Sequence, residues 1–245
     1  MEKKFHQVFW AAALLAVALV VTGIIVTNGV VQVRAAQDTI SVTGSAKEPV
    51  ESDVAVWNFS VNIRGDSLQT AYAELKTAIP KIDAFLASQG VPAEEIVAGA
   101  INAGSNTYFD EDAQGRRTQR TTYYANRNYR VTSTDIDRLE RASRGAGDLI
   151  AQGVALDSAP LEYMYTKLAD LRNGLLERAT EDAKGRAEAI AKSSGAKIGA
   201  VKSARMGVFQ ITPRNSTMVD DYGMNDTSTR LKDVTAVVGA EFRLK

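Results

Sequence analysis

Alternation of apolar and polar positions with a period of two is the plainest signal in this chain. Ala55, Trp57, Phe59, Val61 and Ile63 alternate with Val56, Asn58, Ser60, Asn62 and Arg64, which predicts a strand buried on one face. Val234, Ala236, Val238, Ala240, Phe242 and Leu244 repeat the pattern, predicting a closing strand over Lys232–Leu244. Between them the period changes. Leu68, Tyr72, Leu75, Ile79, Ile82 and Leu86 recur at spacings of three and four, an apolar helical stripe. Asp66 is placed to cap that helix with Gln69 at the reciprocal position, and Gly90 and Pro92 end it. Pro80 falls inside and would remove one helical hydrogen bond at a cost of about 3 kcal/mol, so a kink or break is expected near Thr77.

Ile40 and Val42 open the patterned region as a short strand, with Gly44 to Glu51 as a turn because it carries Gly44 and Pro49. Strands are expected over Ile96–Tyr108 and Arg120–Ser133, with Tyr123, Ala125, Arg127, Tyr129 and Val131 on one face. A helix from Thr134 sets Ile136, Leu139, Ala142, Ala146 and Leu149 inward. A strand at Val154–Thr166, a long helix at Lys167–Ser194 ended by Gly195, and a strand at Ile198–Ile211 complete the order. Strand–helix–strand–strand thus occurs over about 53–133 and again over 154–245, with a connecting helix between. Each copy joins its last two strands through a polar insertion, DEDAQGRR and PRNSTMVDDYGMNDTSTR. The expected architecture is α+β, with antiparallel sheets covered by helices on one face.

Gln7–Val33 carries no charged side chain, preceded by Lys3 and Lys4 and closed by Arg34. About 20 apolar residues span a bilayer as helix, and a signal-peptide apolar region is shorter, about 7–15 residues. Residues 7–33 therefore read as an uncleaved transmembrane signal anchor rather than a removed signal peptide. Phe9 and Trp10 suit its cytoplasmic interface, and Ala12, Ala16 and Gly23 offer small surfaces for helix pairing. Residues 1–6 would lie inside, 34–38 form a linker, and 39–245 face outside or the periplasm. The partner implied is membrane lipid through residues 7–33.

Composition narrows the chemistry. The chain has no cysteine, and its single histidine, His6, precedes the apolar run. Thiol chemistry, disulfides, serine–histidine triads and histidine-ligated metals therefore drop out of the region after Arg34. With 26 basic and 28 acidic residues downstream of Arg34, no global field favours nucleic acid.

In the long helix, Ala179, Asp182, Ala183, Arg186, Ala187, Ile190, Ala191 and Gly195 form A-x-x-D-A-x-x-R-A-x-x-I-A-x-x-x-G, followed by AKIGAVKSAR. Together with the opening I-S-V-T-G and LIAQGVAL at Leu149–Leu156, this resembles the SIMPL (DUF541) family over Thr39 to Lys245, in its membrane-anchored branch. The resemblance implies an exported or envelope-anchored bacterial protein in the cytoplasmic (inner) membrane, built from repeated strand–helix units. It also implies homo-oligomers and a loose link to oxidative stress, and it supplies no catalytic residues. Packing alone accounts for the helix motif: Ala179, Ala183, Ala187 and Ala191 give a smooth stripe, and Asp182 and Arg186 an exposed pair worth about 0.3–0.5 kcal/mol.

Each remaining candidate has a structural explanation. TGSAKEP lacks the spacing of a phosphate loop and precedes a strand, so it reads as a hairpin turn. Asp110, Glu111 and Asp112 form one oxygen-rich cluster, and Asp220, Asp221, Asn225 and Asp226 another. Such ligands suit calcium, but neither cluster follows a calcium-loop pattern. Arg116, Arg117 and Arg120 beside Tyr123 and Tyr124 imitate a nucleic-acid patch, although the tyrosines alternate faces; contact with another subunit or a lipid headgroup fits them better. Lys192, Ser193 and Ser194 suit a helix end, and Glu177 and Glu181 a solvent face. No catalytic, cofactor-binding or metal residue is assigned. The expectation is a non-enzymatic, membrane-tethered, self-associating envelope protein acting as a scaffold or ring. The alternative is a periplasmic module binding a small ligand or partner protein, ahead of an enzyme lacking histidine and cysteine.

Overall fold

The structure, a computed structural model, describes residues 15, 18–27, 38–111, 115, 117–218, 220 and 222–245. Residues 18–27 are helical (α1). Among the described residues no helix is long and apolar enough to cross a membrane. Most of the expected 7–33 span lies outside the described residues.

The chain then runs β1 (Thr39–Glu51), β2 (Val54–Gly65), α2 (Leu68–Ser88), a 3-10 turn at Ala93–Glu95, β3 (Ile96–Ala98), β4 (Asn102–Glu111) and β5 (Arg117–Ser133). After these come α3 (Ile136–Gly145), α4 (Gly147–Ala151), β6 (Leu156–Ser158), β7 (Glu162–Met164) and α5 (Leu168–Ser193). The strands β8 (Ile198–Met206), β9 (Gln210–Pro213) and β10 (Leu231–Leu244) close the order. Every strand pairing with a described register is antiparallel, so the α+β architecture stands.

The chain forms two compact units. Of the described residues, one unit holds those up to Ala46, with Asn173–Val208 and Ala236–Lys245; the other holds those of Lys47–Arg172 and Phe209–Thr235. The larger unit is built on a sheet of order β3-β5-β2-β6, with β4 also on β5 and β7 also on β2. Its core takes the predicted inward set of β2, together with Ala125, Tyr129 and Val131 of β5 and the inner faces of α2 and α3. Phe59 and Tyr129 face each other across the strands, rings stacked with centroids 4.9 Å apart, and Trp57 Nε1 donates to Ser158 Oγ at 2.9 Å. The smaller unit packs Val42, Ala240 and Phe242 against Ala183 and Ala187 of α5.

Several expectations change. The predicted turn at Gly44–Glu51 is the second half of a continuous strand, and β1 ends at Glu51 instead. Pro49 is tolerated there because β1 ends the order β1-β10-β8, and an edge strand has one row of unpaired backbone groups. Helix α2 runs unbroken through Pro80, which sits on the exposed side. Ser67, not Asp66, is its N-cap, accepting from Thr70 N at 3.1 Å. Its buried face is Ala71, Leu75, Ala78, Ile82, Phe85 and Leu86, while Leu68 and Tyr72 are exposed. Small alanines let α2 lie close to the sheet, which rotates the stripe away from the bulkier residues. The strand expected at Val154–Thr166 is two short ones, β6 and β7, and both pair with β2. The two sequence repeats therefore do not correspond to two separate sheets.

Candidate functional site

The quoted loop motif and the alanine helix turn out to be two sides of one contact. Gly44 of β1 lies so close to α5 that a Cβ there would overlap the Ala179 carbonyl oxygen and the Ala183 amide nitrogen. Ser45 N donates to Asp182 Oδ2 at 2.9 Å, and the same oxygen takes Arg186 Nε at 2.9 Å. The Ser45 amide, followed by the Arg186 guanidinium, holds the Asp182 carboxyl below its ordinary range. Asp182 is thus a tie between strand and helix, more than the surface pair expected. Within TGSAKEP, the contact with α5 is made by Gly44 and by the Ser45 amide.

The acidic clusters are internally paired where they are described. Asp110 meets Arg120 at 3.4 Å and Glu111 meets Arg117 at 3.1 Å across the β4–β5 ribbon. Asp112 and Arg116 lie outside the described residues. In the second insertion Asp226 accepts from Ser228 N, Ser228 Oγ, Thr229 N and Thr229 Oγ1, and from Lys232 Nζ at 2.8 Å. Burial would raise the Asp226 carboxyl, but the hydrogen bonds from Lys232, Ser228 and Thr229 outweigh it and hold it far below the carboxylate range. Asp220 Oδ1 accepts from Tyr222 N, the Asn225 backbone bridges Ile211, and Asp221 lies outside the described residues. Among the described residues no group of three or more carboxylate, histidine or cysteine side chains is placed to hold a metal ion.

Tyr123 and Tyr124 take opposite faces of β5, and the Tyr124 ring lies over Gly104 of the paired strand. Ser193 and Ser194 donate to the Ile190 and Ala191 carbonyls at 2.7 and 2.9 Å, a helix-end role, and Glu177 and Glu181 are exposed.

Sequence reasoning passed over two charge networks. Lys232 is fully buried, and besides Asp226 Oδ2 its ammonium donates to the Asp226 carbonyl at 2.5 Å. Its signal was its phase: Lys232 shares the inward parity of Val234 and Ala236. Arg230 gathers Glu51 at 2.7 Å, Asp137 at 2.5 Å and Glu140 at 3.6 Å, and Tyr163 OH donates to Glu140 at 3.1 Å. Lys232 ties the insertion to the start of β10, and Arg230 ties it to β1 and α3.

Two surface features remain. The first is the distal ribbon. β5 pairs with β2 only from Tyr123 onward, so residues 117–122 pair with β4 alone, and this part of the hairpin is solvent-exposed on both faces. Phe109 near its tip is 70% exposed. The second is an open cleft of about 490 Å³ on the sheet face opposite the helices of the larger unit. Strand register sorts most of its lining into two neighbouring rows: Val97, Arg130, Asn58 and Ala159, then Gly99, Asn128, Ser60 and Asp157.

A family model described as SIMPL, protein of unknown function (DUF541), matches residues 40–242. No curated protein matches the chain. Among solved structures the chain is similar to the ligand-free regulatory subunit of aspartate kinase from Thermus thermophilus. That match has 14% identity over 81% of this chain and 88% of that one, with a TM-score of 0.19. A likeness at that level carries nothing over to this chain.

Proposed function

Because this chain belongs to the SIMPL family, we propose that it is a membrane-tethered, non-enzymatic envelope protein that self-associates as a scaffold or ring. The observation that carries self-association is the distal β4–β5 ribbon. An isolated two-stranded ribbon is at best marginally stable in water, and it needs a third strand or a packed face to persist. Here residues 106–111 and 117–122 have neither within the described chain, yet they present Tyr108 and Phe109 to solvent. A second copy supplies what is missing. The tether is read from the charge-free run Gln7–Val33, whose residues 18–27 are helical. Holding copies in one membrane plane raises their effective concentration for one another. The non-enzymatic reading follows from a sequence without cysteine and with His6 as its only histidine.

Light scattering on the full chain in detergent tests this reading. A multimer that dissociates when Phe109 and Tyr108 are both changed to serine supports it; a monomer at all concentrations refutes it. A reporter fused after Lys245 that is active only in the cytosol would remove the tether from the account. A second reading, a binding module, is favoured by the cleft across β3, β5, β2 and β6.

A further inference from the structure

The cleft on the outer face of the larger unit holds side chains left without partners. The side chains of Arg130, Asn128 and Asp157 make no hydrogen bond or ion pair among the described residues. By contrast, Arg127 on the opposite face donates to the Gly99 carbonyl, and Arg138 is paired with Glu95 and Ser133. Between the two free charges lie Asn58, whose amide nitrogen reaches Glu162 at 3.3 Å, and Ser60, which accepts from Asn62 at 2.8 Å. Both retain acceptor capacity toward the cleft.

Spacing follows from the register. Arg130 pairs with Asn58 on β2, and Ser60, two residues along, pairs with Asp157 on β6. Two strand spacings of about 4.8 Å and one two-residue step of about 6.7 Å put the Arg130 and Asp157 Cα atoms roughly 12 Å apart. Strand side chains stand roughly perpendicular to the sheet, so the two charges stay separated by about 8–12 Å.

The lining rejects most ligand classes. A polyanion would meet one guanidinium and a nearby carboxylate. An apolar ligand would meet only Val97 and Ala159. A sugar would find no ring to stack on, because Phe59 and Tyr129, though they border the cleft, belong by strand alternation to the buried face. What fits is a neutral, extended dipolar molecule with an anionic end for the Arg130 fork, a cationic end for Asp157, and amide groups between to meet Asn58, Ser60 and Asn128. At about 3.3–3.6 Å per residue, a tripeptide with free termini spans roughly 10 Å.

We propose that this cleft binds short peptides of about three residues through their free termini, the carboxylate on Arg130 and the ammonium on Asp157. The inference goes beyond self-association and does not depend on it. Titration calorimetry of the full chain in detergent with trialanine tests it, alongside N-acetyl-trialanine amide, Arg130→Gln and Asp157→Asn. Saturable binding of trialanine is expected. It should weaken at least tenfold in each variant and vanish for the capped peptide, while the melting temperature and the light-scattering mass stay at wild-type values. Absence of saturable binding at millimolar trialanine overturns the proposal. So does equal binding of the capped peptide, or unchanged affinity in both variants, whatever the oligomeric state.

Discussion

Replacing Gly44 with alanine tests the contact that unites the strand motif with the helix motif. The new Cβ would overlap the Ala179 carbonyl oxygen and the Ala183 nitrogen, and would lie 2.7 Å from Ala183 Cβ. Two of these obstacles are helix backbone, which no rotamer change can clear, so α5 must back away from β1. Overpacking costs about 1–3 kcal/mol and occasionally more. A gap of even 0.5–1 Å also forfeits roughly a quarter to a half of each dispersion contact it opens. The contacts at risk are those of Val42 with Ala183, Ala187 and Phe242. We therefore expect a loss near the top of the range, about 3 kcal/mol. At roughly 2–4 °C per kcal/mol for a domain of this size, the melting temperature should fall by about 6–12 °C. The assay is thermal and urea unfolding of the full chain in detergent, followed by circular dichroism. The double variant Gly44→Ala/Ala183→Gly removes only the side-chain overlap and should recover less than half of the loss. A shift under about 2 °C for Gly44→Ala would refute the reasoning, because it would mean strand and helix are not in the contact described.

Further outcomes follow from the same structure. Lys232→Ala strips the fully buried ammonium from Asp226 and should cost about 3–5 kcal/mol in urea unfolding, since breaking a buried pair strands the remaining charge. Asp226 is held below the ordinary carboxylate range, and so is Asp53, where hydrogen bonds from Thr166 outweigh burial, so the stability they confer is present above about pH 4 and is lost as the medium is acidified through their folded values. Denaturation curves should be flat from about pH 5 to 7 and weaken below pH 4, and Asp226→Asn, though less stable at neutral pH, should lose less over that acid window. Pro80→Ala restores a donor to the exposed side of α2 and should raise stability by about 1–3 kcal/mol; an unchanged urea midpoint would mean the helix already absorbs the proline without loss.

Elements buried on one face were legible, because alternation in β2 and β10 is a direct record of which side meets the core. Gly44 and Pro49 were misread because both mark turns when taken locally. Here one answers a distant helix backbone, and the other sits on a sheet edge. The buried stripe of α2 was set one step off because Ala71 and Ala78 are weak hydrophobic signals, although their small size is what allows close approach. Lys232 was hidden by its charge despite its inward phase. The asparagines of the cleft were readable as the outward face of β2 and β5. That Asp157 would join them was not, because nothing in the spacing shows that β6 pairs with β2.

The smaller unit draws on the first described strand and on the final ten residues, Ala236–Lys245, with about 190 residues of chain between these pieces. At a synthesis rate of about 5–20 residues per second, Val42 waits roughly 10–40 s for Ala240 and Phe242 to be made. Truncation at any internal boundary leaves that unit without one of its strands. The smaller unit therefore cannot close its core until Ala240 and Phe242 have been made, and its opening strand would have to be kept from other partners until then.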